Sequence, residues 1–133
     1  MNKIMIIEDD ETLREELVRI LQLQGFEPVI CLDFPYAANQ ALNEDPKIVV
    51  VDLSLPGNDG LSICREIRSA SSVLIVVLTS SGAEFDEVMS MRLGADDFIT
   101  KPYSPAILLA RIERIIQRSK QTDSGVAILS WTG

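Results

Sequence analysis

The chain has 133 residues, enough for one domain with one core, and its 47% hydrophobic and 24% charged residues are those of a globular protein. No apolar run approaches the roughly 18 residues of a membrane-spanning helix, and the N-terminus lacks a secretion-signal pattern, so a cytoplasmic location is expected. The net charge of −8 opposes direct contact with nucleic acid, and the absence of histidine excludes Ser-His-Asp and Cys-His catalysis and histidine-ligated zinc.

The first element, "KIMII" at 3–7, is apolar at nearly every position, as expected of a parallel strand covered on both faces. It runs straight into Glu8, Asp9, Asp10 and Glu11. A helix over 11–24 comes next, with Leu13, Leu17, Ile20 and Leu21 on one face and Gly25 as its stop. Thr12 and Glu15 have capping-box spacing, and Asp10 reads as a helix cap or a solvated acid. Glu11, Glu15 and Glu16 form a solvated face.

"EPVIC" at 27–31 is a weaker strand, suited to a sheet edge, and an Ala-rich helix spans 35–43. "KIVVVD" at 47–52 is a buried strand ending in Asp52, with "LSLPGNDG" and its Pro-Gly turn beyond. A helix over 59–69 aligns Ile63, Cys64 and Ile67. "VLIVVLT" at 73–79 is the fourth strand, and a helix over 84–93 aligns Phe85, Val88 and Met89 before Gly94. "DFIT" at 97–100 is another weak strand. The last helix, 105–118, carries Leu108, Ile112, Ile115 and Ile116, with Ser104 at the N-cap and Pro105 at the first helical position. Cys31 and Cys64 form no CxxC pair and read as small buried hydrophobes. Residues 119–125 are polar and turn-like, a linker. Residues 126–133, with the apolar run "VAILSW", read as the start of a second domain, although a docked or disordered tail is the competing reading.

Five strand–helix repeats imply an α/β fold with a parallel sheet. Neither GxGxxG nor GxxxxGK[ST] is present. In an open parallel sheet, ligands bind beyond the carboxyl ends of the strands. Those strand ends bring Glu8, Asp9 and Asp10, then Asp52, then Thr79, then Lys101 to one rim. Carboxylates gathered there repel one another, and a hard divalent cation with oxygen ligands relieves that. Lys101 can meet a phosphoryl group as a mobile positive charge, and Thr79 can donate to a phosphoryl oxygen. Asp52, alone at the end of an apolar strand beside a cation, can act as a nucleophile toward phosphorus.

These motifs, "IIEDD", "VVVDLSLPGNDG", "VLTSSG" and "GADDFITKPYSP" in that order, resemble the receiver domain of a two-component response regulator over residues 3–118. The resemblance implies a flavodoxin-like doubly wound sheet of strand order 2-1-3-4-5. It implies Asp52 as phosphoacceptor, Mg2+ (or Mn2+) held by Glu8, Asp9, Asp52 and the backbone carbonyl of Ser54, Thr79 and Lys101 as phosphoryl contacts, and a cis Lys101–Pro102 bond. Phe98 matches the aromatic switch residue. Ser54 and Ser81 match neighbours that tune hydrolysis of the acyl phosphate. No separate enzyme activity is implied beyond self-phosphotransfer and slow autodephosphorylation.

"RLGADDFITKPYSPAILLARIERIIQR" resembles the receivers joined to a winged-helix DNA-binding domain. That subfamily dimerises through its fourth helix, fifth strand and fifth helix. Asp96, Asp97, Arg111 and Arg118 fit the pattern. Glu87 and Ile107 depart from it, so one customary salt bridge is missing, and Arg92 and Glu113 can pair with swapped signs. The implied partners are a sensor histidine kinase and a second copy, with DNA reached only through an effector domain and no membrane contact. Three rivals stand beside this. One is a stand-alone receiver or phosphorelay protein that works by docking. Another is a magnesium-dependent phosphatase, which Ser54 disfavours because a second Asp is usual there. The third is a receiver-like scaffold that is never phosphorylated.

Overall fold

The structure, a computed structural model, describes residues 2–55, 60–80 and 84–132, with the side chains of 85, 86 and 121–132 outside the description. Strands β1 (Lys3–Ile7), β2 (Glu27–Ile30), β3 (Ile48–Asp52), β4 (Leu74–Ser80) and β5 (Asp97–Lys101) form one parallel sheet in the order 2-1-3-4-5. Helices α1 (Glu11–Leu23), α2 (Ala37–Glu44), α3 (Gly60–Ala70), α4 (Glu84–Arg92) and α5 (Pro105–Thr132) connect and cover it, with a single 3₁₀ turn, Phe34–Tyr36, before α2. The two weak strands, β2 and β5, lie at the edges, as their composition predicts.

Side chains alternate across the pleat, so each central strand feeds two cores. Ile4, Ile6, Val50, Val76 and Leu78 pack against Leu17 and Leu21 of α1 and Leu108 and Ile112 of α5. Met5, Ile7, Val49, Val51 and Val77 pack against Ala37 and Ala41 of α2 and Ile63 and Ile67 of α3. Burial of one such Ile, Val or Leu side chain contributes about 1.5–3 kcal/mol. This double coverage is why β1, β3 and β4 read as unbroken apolar runs.

Local signals place the ends. Asp10 caps α1, its carboxylate accepting from the Leu13 N–H at 3.0 Å, so the cap is Asp10 and not the Thr12–Glu15 box. Gly25 ends the turn after α1 at φ +86°, a conformation costly for residues with a Cβ. Ser104 caps α5 through its hydroxyl, which accepts from the Ile107 N–H at 3.1 Å, with Pro105 opening the helix.

Two expectations change. Val88 is half exposed, while Ser90 is fully buried, its hydroxyl donating to the Glu87 carbonyl at 2.9 Å. A serine that bonds within its own helix costs little to bury, which composition alone does not reveal. Phe85, expected on the same face, lies outside the described side chains. The second change is at the C-terminus, where α5 continues to Thr132 in place of a turn-like linker over 119–125. That stretch holds no proline, and Gly125 costs only about 1 kcal/mol relative to alanine inside a helix. No described helix is long and apolar enough to cross a membrane.

Candidate functional site

The carboxyl ends of β1 and β3 lie side by side at the centre of the sheet, because β2 branches to one side and β4 and β5 to the other. This is the reversal of strand order at which open parallel sheets bind ligands. β1 delivers Glu8, 1% exposed, and beside it the exposed Asp9. β3 delivers Asp52, 2% exposed. Carboxylate oxygens of Glu8, Asp9 and Asp52 all lie within 4.8 Å of one another.

Each acid is held from its own strand end. Glu8 is fixed at its backbone by Arg14, whose guanidinium donates to the Glu8 carbonyl at 3.1 Å, and at Oε2 by the Asp10 N–H at 3.3 Å. Asp52 Oδ1 accepts from the Ser54 N–H at 3.0 Å and the Ser54 hydroxyl at 2.9 Å. Its other oxygen, Oδ2, faces Lys101 Nζ at 3.1 Å, and the same ammonium stands 3.5 Å from Glu8 Oε1. Gly60 closes the site from below. A Cβ there would lie 2.6 Å from the Asp52 carbonyl oxygen and from Leu53 Cα, so only glycine lets α3 start this close to the strand end.

One lysine does not neutralise three acids. Burial pushes the Glu8 carboxyl up to about 8, helped by its hydrogen bond with Asp52 and by repulsion from that carboxylate, against the pull of Lys101 and the Asp10 N–H. Burial acts on Asp52 in the same upward sense. There the bonds with Glu8, the Ser54 N–H, Lys101 and the Ser54 hydroxyl outweigh it and hold the carboxyl below its ordinary value. The two shifts run in opposite directions: burial favours the neutral form of Glu8, and the hydrogen bonds favour the charged form of Asp52. Two buried side-chain oxygens, Glu8 Oε1 and Thr79 Oγ1, accept or donate no hydrogen bond among the described residues. Polar atoms without a hydrogen bond in so dry a place are costly unless a ligand satisfies them. A hard cation fits the first and a phosphoryl oxygen fits the second, so the donor set suits a divalent metal with oxygen ligands.

The rim therefore unites Glu8, Asp9, Asp52, Ser54, Thr79 and Lys101. The Lys101–Pro102 peptide is cis, as expected. Beside Lys101 a cavity of about 480 Å³ opens between α1 and the β5–α5 loop, lined by Leu13, Glu16, Ser80, Lys101, Pro102 and Tyr103. Burial, with Glu16, Glu8 and Asp52 nearby, pushes the Tyr103 hydroxyl up to about 12. Nothing in the sequence singled out Tyr103. The turn at Pro56–Gly57 and Ser81 lie outside the described residues. Phe98 is partly buried against the α2–α3 core.

The remaining predicted residues sit elsewhere. Asp97 pairs with Arg111 at 3.2 Å and with Arg114 at 2.6 Å, both from α5 of the same chain. Arg114 was not foreseen, although it lies three residues beyond Arg111 and so on the same helix face. Asp96 binds Arg68 of α3 at 3.1 Å, and Arg118 reaches the Asp96 carbonyl at 3.3 Å. Arg92 and Glu113 are exposed. Glu87 accepts from the Thr100 hydroxyl at 3.4 Å, and Ile107 is exposed.

This fold, with an acid cluster, a hydroxyl and a lysine on one rim, defines a receiver domain. The chain matches the family model for the response regulator receiver domain over residues 4–113, and it belongs to that family. It is 39% identical over 124 residues to Sensory transduction protein RegX3 of Mycobacterium tuberculosis, covering 93% of this chain and 55% of that protein. It is 40% identical over 119 residues to Transcriptional regulatory protein YxdJ of Bacillus subtilis, covering 90% and 52%. Among solved structures, the BeF3-activated N-terminal receiver domain of Klebsiella pneumoniae RstA superposes with a TM-score of 0.81 at 33% identity, over 86% of this chain and 98% of that one. The chain spans about half the length of the curated relatives it matches.

Proposed function

We propose that this chain is the phosphorylated input module of a cytoplasmic transcriptional response regulator. In this reading Asp52 accepts a phosphoryl group from a sensor histidine kinase. The observation that carries it is the pairing of a nearly inaccessible carboxylate, Asp52, with Lys101 at 3.1 Å, inside a cluster where two buried oxygens take no hydrogen bond among the described residues.

The proposed step is a displacement at phosphorus. An Asp52 carboxylate oxygen bonds to phosphorus, the P–N bond to the kinase imidazole breaks, and that nitrogen keeps the electron pair. Lys101 tracks the phosphoryl oxygens with its charge, and the Thr79 hydroxyl turns to donate to one of them. Glu8, Asp9, Asp52 and the Ser54 carbonyl are the groups that would hold Mg2+ (or Mn2+), which when bound offsets the negative charge of acids and phosphate together. Water attack on the acyl phosphate later returns Asp52.

Output is a population shift. Movement of Thr79 draws Phe98 inward, and the face formed by α4, β5 and α5 becomes a dimer surface. Asp96, Asp97, Arg111 and Arg118, with Arg92 and Glu113, supply its charged contacts. Residues 126–133 would lead into a winged-helix domain that contacts DNA. The similarity to YxdJ, a transcriptional regulatory protein, supports this output.

Intact mass after incubation with acetyl phosphate and Mg2+ tests the reading. The expected result is one added phosphoryl group, lost with Asp52→Asn and lost without the metal. Addition that survives Asp52→Asn would overturn it.

A further inference from the structure

Arg68 stands in the last turn of α3, at the end of the sheet opposite the acid cluster. All three guanidinium nitrogens are engaged. Nε and NH2 donate to the Gly94 carbonyl at 3.0 and 2.7 Å. NH1 donates to the Ser71 and Val73 carbonyls at 3.1 and 2.8 Å. NH2 also donates to Asp96 Oδ2 at 3.1 Å. One side chain thus ties the loop between α3 and β4 to the loop between α4 and β5. Gly94 makes room for it: its φ is +109°, and a Cβ there would lie 2.7 Å from Arg68 Cγ.

Asp96 is held from its other side as well. Its N–H donates to the Ile75 carbonyl at 2.7 Å, and its Oδ2 accepts from the Ile75 N–H at 2.8 Å. Every described donor to this carboxylate converges on Oδ2. A carboxylate has about four acceptor positions over its two oxygens. Oδ1 takes no hydrogen bond among the described residues and is not among the buried unpartnered atoms, so it is an acceptor open to solvent.

We propose that Arg68 is a positioning residue for the dimer face: by holding Asp96 through Oδ2, it presents Oδ1 to a guanidinium of a second copy of the chain. The inference rests on the proposed phosphorylation-dependent dimer and adds to it a residue on a helix outside that face. A planar fork is required for the role, because a lysine keeps the charge but cannot reach two loops from a single nitrogen.

The test compares the full chain with Arg68→Lys and Arg68→Gln, each treated with acetyl phosphate and Mg2+. Intact mass reports phosphorylation, and sedimentation reports the dimer dissociation constant. Both variants are expected to take up the phosphoryl group like the parent, which shows that they are folded, while the dissociation constant rises about tenfold. The parent dimer should also weaken more steeply with added salt than either variant, as a lost ion pair requires. Unchanged dimerisation in Arg68→Gln would overturn the inference. So would loss of phosphorylation in step with dimerisation in both variants, which makes Arg68 a general structural residue. A parent chain that is phosphorylated yet monomeric would remove the dimer reading itself, a result seen without any variant.

Discussion

The two ends of the sheet treat acidic side chains in opposite ways. At the carboxyl rim, Glu8, Asp9 and Asp52 face one lysine, and two buried oxygens take no hydrogen bond among the described residues. At the start of β5, the Asp96 and Asp97 carboxylates meet three arginines, 68, 111 and 114, within 3.2 Å, and Arg118 reaches the Asp96 carbonyl at 3.3 Å. The corner is well supplied with donors, with Asp96 Oδ1 left open to solvent. The rim is under-supplied, and that deficit is what a cation and a phosphoryl group would fill. Acids with too few partners mark the chemistry, and acids with many mark the scaffold.

The largest effect expected from disturbing this contrast is at Lys101. Lys101→Met removes the only cation bonded to Asp52 among the described residues, and phosphorylation by acetyl phosphate should slow by about 10²–10³-fold, the usual cost of losing one donor to developing oxyanion charge. Single-turnover intact-mass kinetics would show it. At the corner, Asp97→Asn leaves two arginines without a charged partner. Both are partly exposed and can turn to water, so the loss should be about 1–2 kcal/mol in urea denaturation, with phosphorylation kept.

The pH dependence of stability sharpens the rim further. Glu8 has a folded pKa of about 8 against an ordinary 4.5, so folding takes up a proton between these values. Its contribution is fully present below about 4.5 and is lost as pH rises toward 8. Asp52, held low, acts in the opposite sense, and its contribution is lost only as pH falls below its ordinary 3.8. Without divalent metal, the parent chain should therefore lose stability from about pH 5 to about pH 8, and Glu8→Gln should flatten that slope. A parallel slope in the variant would contradict a raised Glu8 carboxyl. The smallest effect belongs to a partly exposed pair away from the acid cluster. Breaking Lys3–Glu44, 3.2 Å apart, by Glu44→Gln should cost only about 0–0.5 kcal/mol.

Much of this was legible in the sequence, for a physical reason. A parallel sheet gathers residues from the ends of different strands, so reading one position past each apolar run finds the rim. Glu8, Asp9, Asp52, Thr79 and Lys101 were found that way. Arg68 could not be, because its partners lie up to 28 residues away and most are backbone carbonyls, which carry no residue signature. Ser90 misled for a related reason, since its burial depends on a bond inside its own helix. Residues 119–125 read as a linker because polar composition is shared by linkers and helices, and the backbone there is helical.

The most direct measurement is the position of the acyl phosphate. Chain treated with acetyl phosphate and Mg2+ is reduced with borohydride, which converts an aspartyl phosphate to homoserine, and its peptides are mapped by mass. The account predicts homoserine at position 52 and at no other aspartate. Reduction at Asp9 or Asp10, or phosphate retained on a hydroxyl after borohydride, would contradict it.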